Sequence, residues 1–257
     1  MLTILLTFFL SLFGAICPLF LWIIDREKEK IKLHRFILGL SLASSIVTFF
    51  LVLPLKISQI SIITIFIWVI LLTTVTLYYW RKSIYSTIVI SIPSIAGTFL
   101  IYNLASQLIS SSPSNIFIIL IGGFILSGSL FAMILGHWYL NVVNLPIGLL
   151  RNATRLIMFL LIFRLIWNII SIFTQKIMYD GFFLPLTEFV GTIDGIFLWV
   201  AILFGTMLPL ILTFLTLRTV DIHSTQSATG LLYVLVISVI MGDLFFKYYM
   251  IRYGLFI

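Results

Sequence analysis

The chain has 257 residues, of which 62% are hydrophobic and 9% are charged, and its formal net charge is +7. Soluble domains carry about 25% charged residues, so this composition excludes a soluble globular protein. The basic residues are scattered between apolar segments, as they are in the loops of membrane proteins, and therefore do not indicate a nucleic-acid partner. Cys17 is the single cysteine, which excludes an intrachain disulfide and a cysteine-based metal site.

Eight apolar stretches have about the 20 residues that an α-helix needs to cross the hydrocarbon core of a bilayer. Their apolar runs are continuous rather than alternating, which favours helices over the strands of a barrel. We predict an all-α integral membrane protein, a bundle of about eight transmembrane helices that forms a single transmembrane domain over residues 1–257. The predicted spans are 2–24, 36–54, 59–80, 84–108, 115–139, 155–174, 189–217 and 229–250.

Lysine and arginine are distributed unequally between the two sets of predicted loops. With the amino terminus outside, the inner side holds ten of them: Arg26, Lys28, Lys30, Lys32, Arg35, Arg81, Lys82, Arg151, Arg155 and Arg218. The outer side holds four: Lys56, Lys176, Lys247 and Arg252. Because cytoplasmic loops are enriched in basic residues, we predict that both termini lie on the outer side. A bacterial plasma (inner) membrane fits this multi-pass chain best.

Ionisable residues inside the predicted spans are the first candidates for a site, since each costs about 2.5–3.5 kcal/mol at the bilayer centre. Arg164 lies near the middle of the sixth span, and Asp194 and Asp243 lie in the outer parts of the seventh and eighth. One interpretation is structural: Arg164 pairs with Asp194 or Asp243, and Asp243 pairs with Lys247 four residues later. The other is a proton route, or an anchor for a polar head group, in the outer half of the bundle.

The three histidines, His34, His137 and His223, all fall on the predicted inner face. A histidine beside a carboxylate can exchange protons near neutral pH, and aromatic side chains can hold a quinone ring. We predict an inner-face site for quinone binding or proton exchange, formed by His137, Trp138, Tyr139, Arg218, Asp221 and His223. In this site Arg218 steers the head group and Asp221 orients a histidine.

Other interpretations of these residues stay open. His137, Trp138 and Tyr139 are also typical of anchors at the membrane interface, and His34 borders a charged loop and is expected to be solvated. Haem b ligated by histidines is an alternative cofactor, although no helix carries two histidines. Too few ligands are present to predict a metal site.

The last span, from Gln226 to Tyr248, contains a glycine and an aspartate (Gly242-Asp243) that are followed by apolar residues, Lys247 and aromatics. It resembles the final helix of the quinol-interacting membrane anchors of the polysulfide-reductase and DMSO-reductase type. The resemblance implies an anchor that exchanges electrons between a membrane quinone (menaquinone or ubiquinone) and iron–sulfur or cytochrome partner subunits. It also implies a quinone site toward the outer face, where the candidates are Arg164, Glu188, Asp194 and Asp243.

We therefore predict a membrane subunit of a respiratory or photosynthetic electron-transfer complex. A second class is a small-solute or ion transporter with Arg164 and Asp194 at a midplane site, although the sequence has no repeat strong enough to indicate inverted symmetry. A third class is a purely structural membrane subunit, in which each polar residue is replaceable without a kinetic effect.

Overall fold

The computed structural model of the chain describes residues 1–24, 33–82, 84–109, 113–142, 145–179 and 181–257. The predicted inner-loop residues Arg26, Lys28, Lys30 and Lys32 lie outside the described residues. The chain is 84% helical, and eight of its helices are long and apolar enough to cross a membrane. The prediction of a helical membrane bundle is confirmed at this level.

The first five spans are continuous or nearly continuous helices. They are α1 (Leu2–Ile16, extended by a 3-10 helix over Cys17–Ile23), α2 (Leu33–Val52), α3 (Gln59–Trp80), α4 (Thr87–Leu108) and α5 (Pro113–Asn141). The remaining elements are α6 (Gly148–Thr174), β1 (Lys176–Tyr179), β2 (Phe182–Pro185), α7 (Leu186–Phe189), α8 (Ile193–Ile202), a π-helix (Leu203–Met207), α9 (Leu208–Asp221) and α10 (Thr225–Tyr253).

Two features differ from the predicted spans. Strands β1 and β2 form an antiparallel hairpin between the sixth and seventh spans, which the all-α prediction does not contain. The seventh span is also interrupted by the π-helix just before Pro209. Proline has no amide hydrogen to donate to the carbonyl four residues earlier, and the wider π turn accommodates that missing bond.

Successive spans run antiparallel, so the loops gather at two ends of the bundle. The end that carries His34, His137 and His223 is called the histidine end, and the end that carries Met1 and Ile257 is called the terminal end. At each end, a hydrogen bond joins a helix to a residue of a neighbouring connection. At the histidine end, Tyr85 donates a hydrogen bond to the carbonyl of Leu21. At the terminal end, Gln107 donates to the Ser58 hydroxyl.

Helix α5 lies in the interior of the bundle, where glycines let its neighbours approach closely. A Cβ at Gly123 would lie 2.6 Å from a side-chain atom of Ile16 in α1. A Cβ at Gly136 would lie 3.0 Å from the Thr229 hydroxyl in α10. Small residues at helix contacts allow such backbone approach in membranes.

The surface of the bundle is strongly apolar. Helix α3 alone exposes more than half of the side chains of Ile60, Ile63 and Phe66. Apolar side chains of this size are stable on an exposed helix face when lipid rather than water surrounds it. The exposed face of α3 is therefore suited to contact with a lipid bilayer.

Candidate functional site

At the histidine end, the residues predicted to form one site make separate contacts. His137 is exposed on α5, and its Nδ1 lies 3.4 Å from the hydroxyl of Tyr233 in α10. The Trp138 ring packs at 5.4 Å from Phe36 of α2. Tyr139 donates a hydrogen bond to the carbonyl of Pro146.

The other three predicted residues of this site lie after the seventh span. Asp221 forms a 3.0 Å ion pair with Arg151 of α6, and Arg218 lies over the ring of Phe214 at 5.1 Å. His223 is exposed in the following turn, where its φ of 60° is left-handed. Among the described residues, no hydrogen bond or ion pair joins Asp221 to a histidine. Asp221 therefore pairs with the guanidinium of Arg151.

His34 is not solvated, so the expectation drawn from its charged neighbours is wrong. It is fully buried at the start of α2, and its ring stacks on Tyr85 at 5.3 Å. Its Nε2 lies 3.4 Å from the main-chain oxygen of Tyr79, at the end of α3. The side chain faces the bundle rather than the loop, and it connects α2 with the α3–α4 turn.

A cluster of buried charges lies in the half of the bundle toward the terminal end. It is formed by Arg164 of α6 with Asp243 and Lys247 of α10, and we call it the charge cluster. Their exposed fractions are 5%, 7% and 4%. Lys247 donates to Oδ2 of Asp243 one helical turn away, which is the pair that the i, i+4 spacing predicts.

Arg164 is held by two main-chain oxygens and an aromatic ring. It donates to the carbonyl of Ile118 at 3.3 Å and to the main-chain oxygen of Ile257, and its guanidinium lies 4.3 Å from the centre of the Phe246 ring. Its Nε is buried and has no hydrogen-bond partner among the described residues. Arg164 therefore retains an unused donor inside the protein.

The gap between Arg164 and Asp243 is bordered by a glycine of α5. A Cβ placed on Gly122 would lie 3.4 Å from a terminal nitrogen of Arg164 and 3.4 Å from Oδ1 of Asp243. Two cavities of about 20 Å³ and about 10 Å³ lie here, and both are lined by these three residues. The sequence gives no signal that singles out Gly122 among its 15 glycines.

The backbone around the π-helix keeps the seventh span close to the charge cluster. Glycines 205 and 242 face each other so closely that a Cβ on Gly242 would lie 2.0 Å from the Cα of Gly205. Asn168, one turn after Arg164, donates at 3.0 Å to the hydroxyl of Thr206, within the π-helix. The Asn168 Oδ1 is buried and has no partner among the described residues.

Asp194 does not join the charge cluster. It lies half-buried in the first turn of α8, where a carboxylate is favoured by the helix dipole. Tyr253 donates to its Oδ2 at 3.2 Å, and Tyr249 donates to its main-chain oxygen. Glu188 is exposed in α7. Of the two acids predicted as partners of Arg164, Asp243 is therefore the one that lies near it.

A groove of about 440 Å³ runs along the exposed side of α4. Its lining includes Ser91, Thr98, Phe99 and Tyr102, and it reaches Ile116 at the start of α5. The Phe99 and Tyr102 rings are nearly parallel, with centres 6.4 Å apart. From Ser91 to Tyr102 the helix rises by about 16 Å, so the groove follows α4 through much of the apolar layer.

Within the described part of the chain, no three His, Cys, Asp or Glu side chains come close enough together to hold a metal ion. No family model, curated protein or solved structure matches the chain. A functional conclusion therefore depends on the fold and on the contacts of these residues.

Proposed function

We propose that this chain is a membrane subunit of an electron-transfer complex that handles the protons of a membrane quinone. Oxidation of a quinol releases its hydroxyl protons while its electrons pass to a redox partner. In this proposal the charge cluster transfers those protons, and iron–sulfur or cytochrome subunits accept the electrons. The observation that carries the proposal is the burial of Arg164, Asp243 and Lys247 beside cavities of about the size of a water molecule.

Ion pairs between side chains account for only part of this cluster. Burial of one charge in the membrane costs about 2.5–3.5 kcal/mol, and membrane proteins usually limit that cost by pairing charges directly. Here one carboxylate is bound to Lys247, whereas Arg164 depends on main-chain oxygens and an aromatic ring. Intramembrane ionisable groups beside a cavity are typical of proton pathways.

The distribution of basic residues supports an orientation for the proposal. In the sequence, the loops on the side of the three histidines hold ten lysines and arginines against four in the other loops, so the positive-inside rule favours a cytoplasmic histidine end and outer termini. The bacterial inner membrane is the compartment that we propose. Lys247 then lies about 9 Å below the outer end of α10, which is a short distance for protons released outward.

The quinone ring itself does not fit the cavities of the charge cluster, because about 20 Å³ accommodates a water molecule rather than a ring. The groove along α4 has the necessary size, and the stacked Phe99 and Tyr102 rings provide an aromatic wall. Its end at Ile116 lies one turn of α5 from Ile119, which lines the larger cavity. We propose that menaquinone or ubiquinone enters from the bilayer through this groove.

The proposal is tested on tagged protein purified in mild detergent together with any bound subunits. Co-purifying chains and extracted lipids are identified by mass spectrometry, and quinol oxidation is measured in the wild type and in Asp243→Asn. The expected result is bound quinone, a redox partner and a turnover reduced at least tenfold in the variant. A colourless, solitary protein without quinone would contradict the proposal, whereas a Soret band from this chain alone would favour the haem alternative.

His137→Ala, measured in the same assay, decides between the two ends of the bundle. The predicted site at the histidine end requires that this variant lose quinone-linked turnover while the complex still assembles. The charge-cluster proposal requires that His137→Ala retain turnover, since no contact joins His137 to the cluster among the described residues. Loss in His137→Ala with unchanged turnover in Asp243→Asn would refute the charge-cluster proposal.

A small-solute or ion transporter is the second candidate, and the π-helix favours it. Such segments occur often at functional sites, and this one packs against α10 through the contact between Gly205 and Gly242. This function predicts substrate-dependent uptake by the isolated chain in liposomes, abolished by Arg164→Ala. An electron-transfer subunit shows no such uptake when it is reconstituted alone.

A further inference from the structure

The gap between Arg164 and Asp243 is polar on both sides. Oδ2 of Asp243 is bound to Lys247, and Oδ1 is directed toward the position that a Cβ of Gly122 would take. A terminal nitrogen of Arg164 lies at the same 3.4 Å distance from that position. At most twice this distance separates the two atoms, yet they form no direct ion pair. A donor nitrogen of Arg164 and an acceptor oxygen of Asp243 therefore both border the gap.

Arg164 is not free to close the gap by rotation. Its guanidinium is fixed by the carbonyl of Ile118, the main-chain oxygen of Ile257 and the Phe246 ring. Asp243 is fixed by Lys247 on the same helix. Direct pairing would require the loss of these contacts, so the separation between the two groups is a property of the packing.

We propose that the gap is a binding site for ordered water, and that a water molecule bridges Arg164 and Asp243 beside Gly122. A cavity needs about 10–15 Å³ to hold a water, together with two to four polar partners. The larger cavity has about 20 Å³ and offers the Arg164 guanidinium and the Asp243 carboxylate. The Arg164 Nε is buried and has no hydrogen-bond partner among the described residues, and a donor left unsatisfied in this way costs about 1–3 kcal/mol.

The smaller cavity extends the same site toward the seventh span. It has about 10 Å³, close to the lower limit for one water, and Gly205 of the π-helix contributes to its lining. Both cavities share Gly122, Arg164 and Asp243. The larger one is therefore the primary site.

Gly122 keeps this site open because any side chain there would enter the gap. Its Cβ would meet both polar atoms at an ordinary contact distance, so alanine fits without a clash but takes the space of the water. The water site itself does not depend on quinone chemistry. In terms of the proposed function, it gives Asp243 the hydrogen-bonded neighbour that a carboxylate needs to exchange a proton inside the membrane.

The test is infrared difference spectroscopy of the full chain in lipid nanodiscs, exchanged between ordinary water and water labelled with oxygen-18. We expect isotope-sensitive O–H stretching bands from buried water that Gly122→Ala loses. Gly230→Ala is the matched control, because a Cβ at that position has nothing within 4 Å. Asp243→Asn assigns the carboxylate band, which we expect to shift in Gly122→Ala as the water leaves.

Identical buried-water bands in the wild type and in Gly122→Ala would overturn the proposal. If Gly122→Ala does not fold, a high-resolution structure of the wild type tests the water site independently. Density for a water between Arg164 and Asp243 supports the proposal, and a direct ion pair with no water refutes it. Neither measurement uses quinone or partner subunits, so their failure is distinguishable from a failure of the proposed function.

Discussion

Removal of either member of the buried Asp243–Lys247 pair should destabilise the protein, and the two losses should be unequal. Asp243→Asn leaves the Lys247 ammonium and the Arg164 guanidinium in the same buried region without the Asp243 carboxylate. Lys247→Met leaves the Asp243 carboxylate beside the gap at Gly122, where the nearby Arg164 guanidinium still attracts it without direct contact. We therefore expect Asp243→Asn to be the more damaging substitution.

Loss of one partner from a buried ion pair costs about 3–5 kcal/mol, because the remaining charge stays in a medium of low dielectric constant. Asp243→Asn should lie near the upper end of this range and Lys247→Met near the lower end. The double variant removes both charges of the pair and should regain a substantial part of the loss. A coupling energy of about 0.5–3 kcal/mol is usual for residues in contact.

The assay is reversible unfolding in mixed detergent micelles, monitored by tryptophan fluorescence and circular dichroism. Arg252→Met on the same helix is the control, because Arg252 is exposed and its loss should change stability by no more than about 0.5 kcal/mol. Equal, small losses in both single variants, with an additive double variant, would refute the buried pairing. That result would mean that water already surrounds the cluster.

Three further predictions concern packing, surface charge and topology. Gly242→Ala should destabilise the chain by at least about 1–3 kcal/mol, because its Cβ would overlap the backbone of the π-helix. Gly230→Ala on the same helix is the control and should be tolerated, because its Cβ would have nothing within 4 Å. Thermal denaturation of both variants measures the difference. Asp221→Asn should cost at most about 1 kcal/mol and less in high salt, since its ion pair is 54% exposed on the aspartate side; a larger, salt-independent loss would contradict this. In intact cells, a cysteine in place of Lys176 should react with a membrane-impermeant maleimide, because we propose that this residue lies outside. A cysteine in place of Lys82 should not react. The reverse labelling would show that the orientation is the opposite of the one proposed.

The sequence was sufficient to predict a membrane protein and the positions of most of its helices. A membrane-spanning helix needs about 20 apolar residues wherever it lies, so local composition identifies it without knowledge of its neighbours. The third span, predicted at 59–80, is Gln59–Trp80 in the structure. The sixth was predicted to start at residue 155 and starts at Gly148, because Arg151 and Arg155 are polar enough to resemble a loop although they extend the helix.

The sequence does not distinguish the hairpin of β1 and β2 from an irregular loop. Its strands have four residues each, and a run of that length carries no clear periodicity. His34 shows a related limit. Its sequence neighbours are charged, but a helix directs adjacent side chains to different faces, and only packing decides that this histidine faces Tyr85.

The sequence by itself determined which residues could carry a charge inside the membrane, because Arg164, Asp194 and Asp243 lie in apolar runs. It also determined the Asp243–Lys247 pair, since residues four apart share one face of a helix. Only the tertiary structure decided that Arg164 lies near Asp243 rather than Asp194, with Gly122 between them. That choice depends on how α5, α6 and α10 rotate and pack against one another, and these long-range contacts leave no pattern in the local sequence.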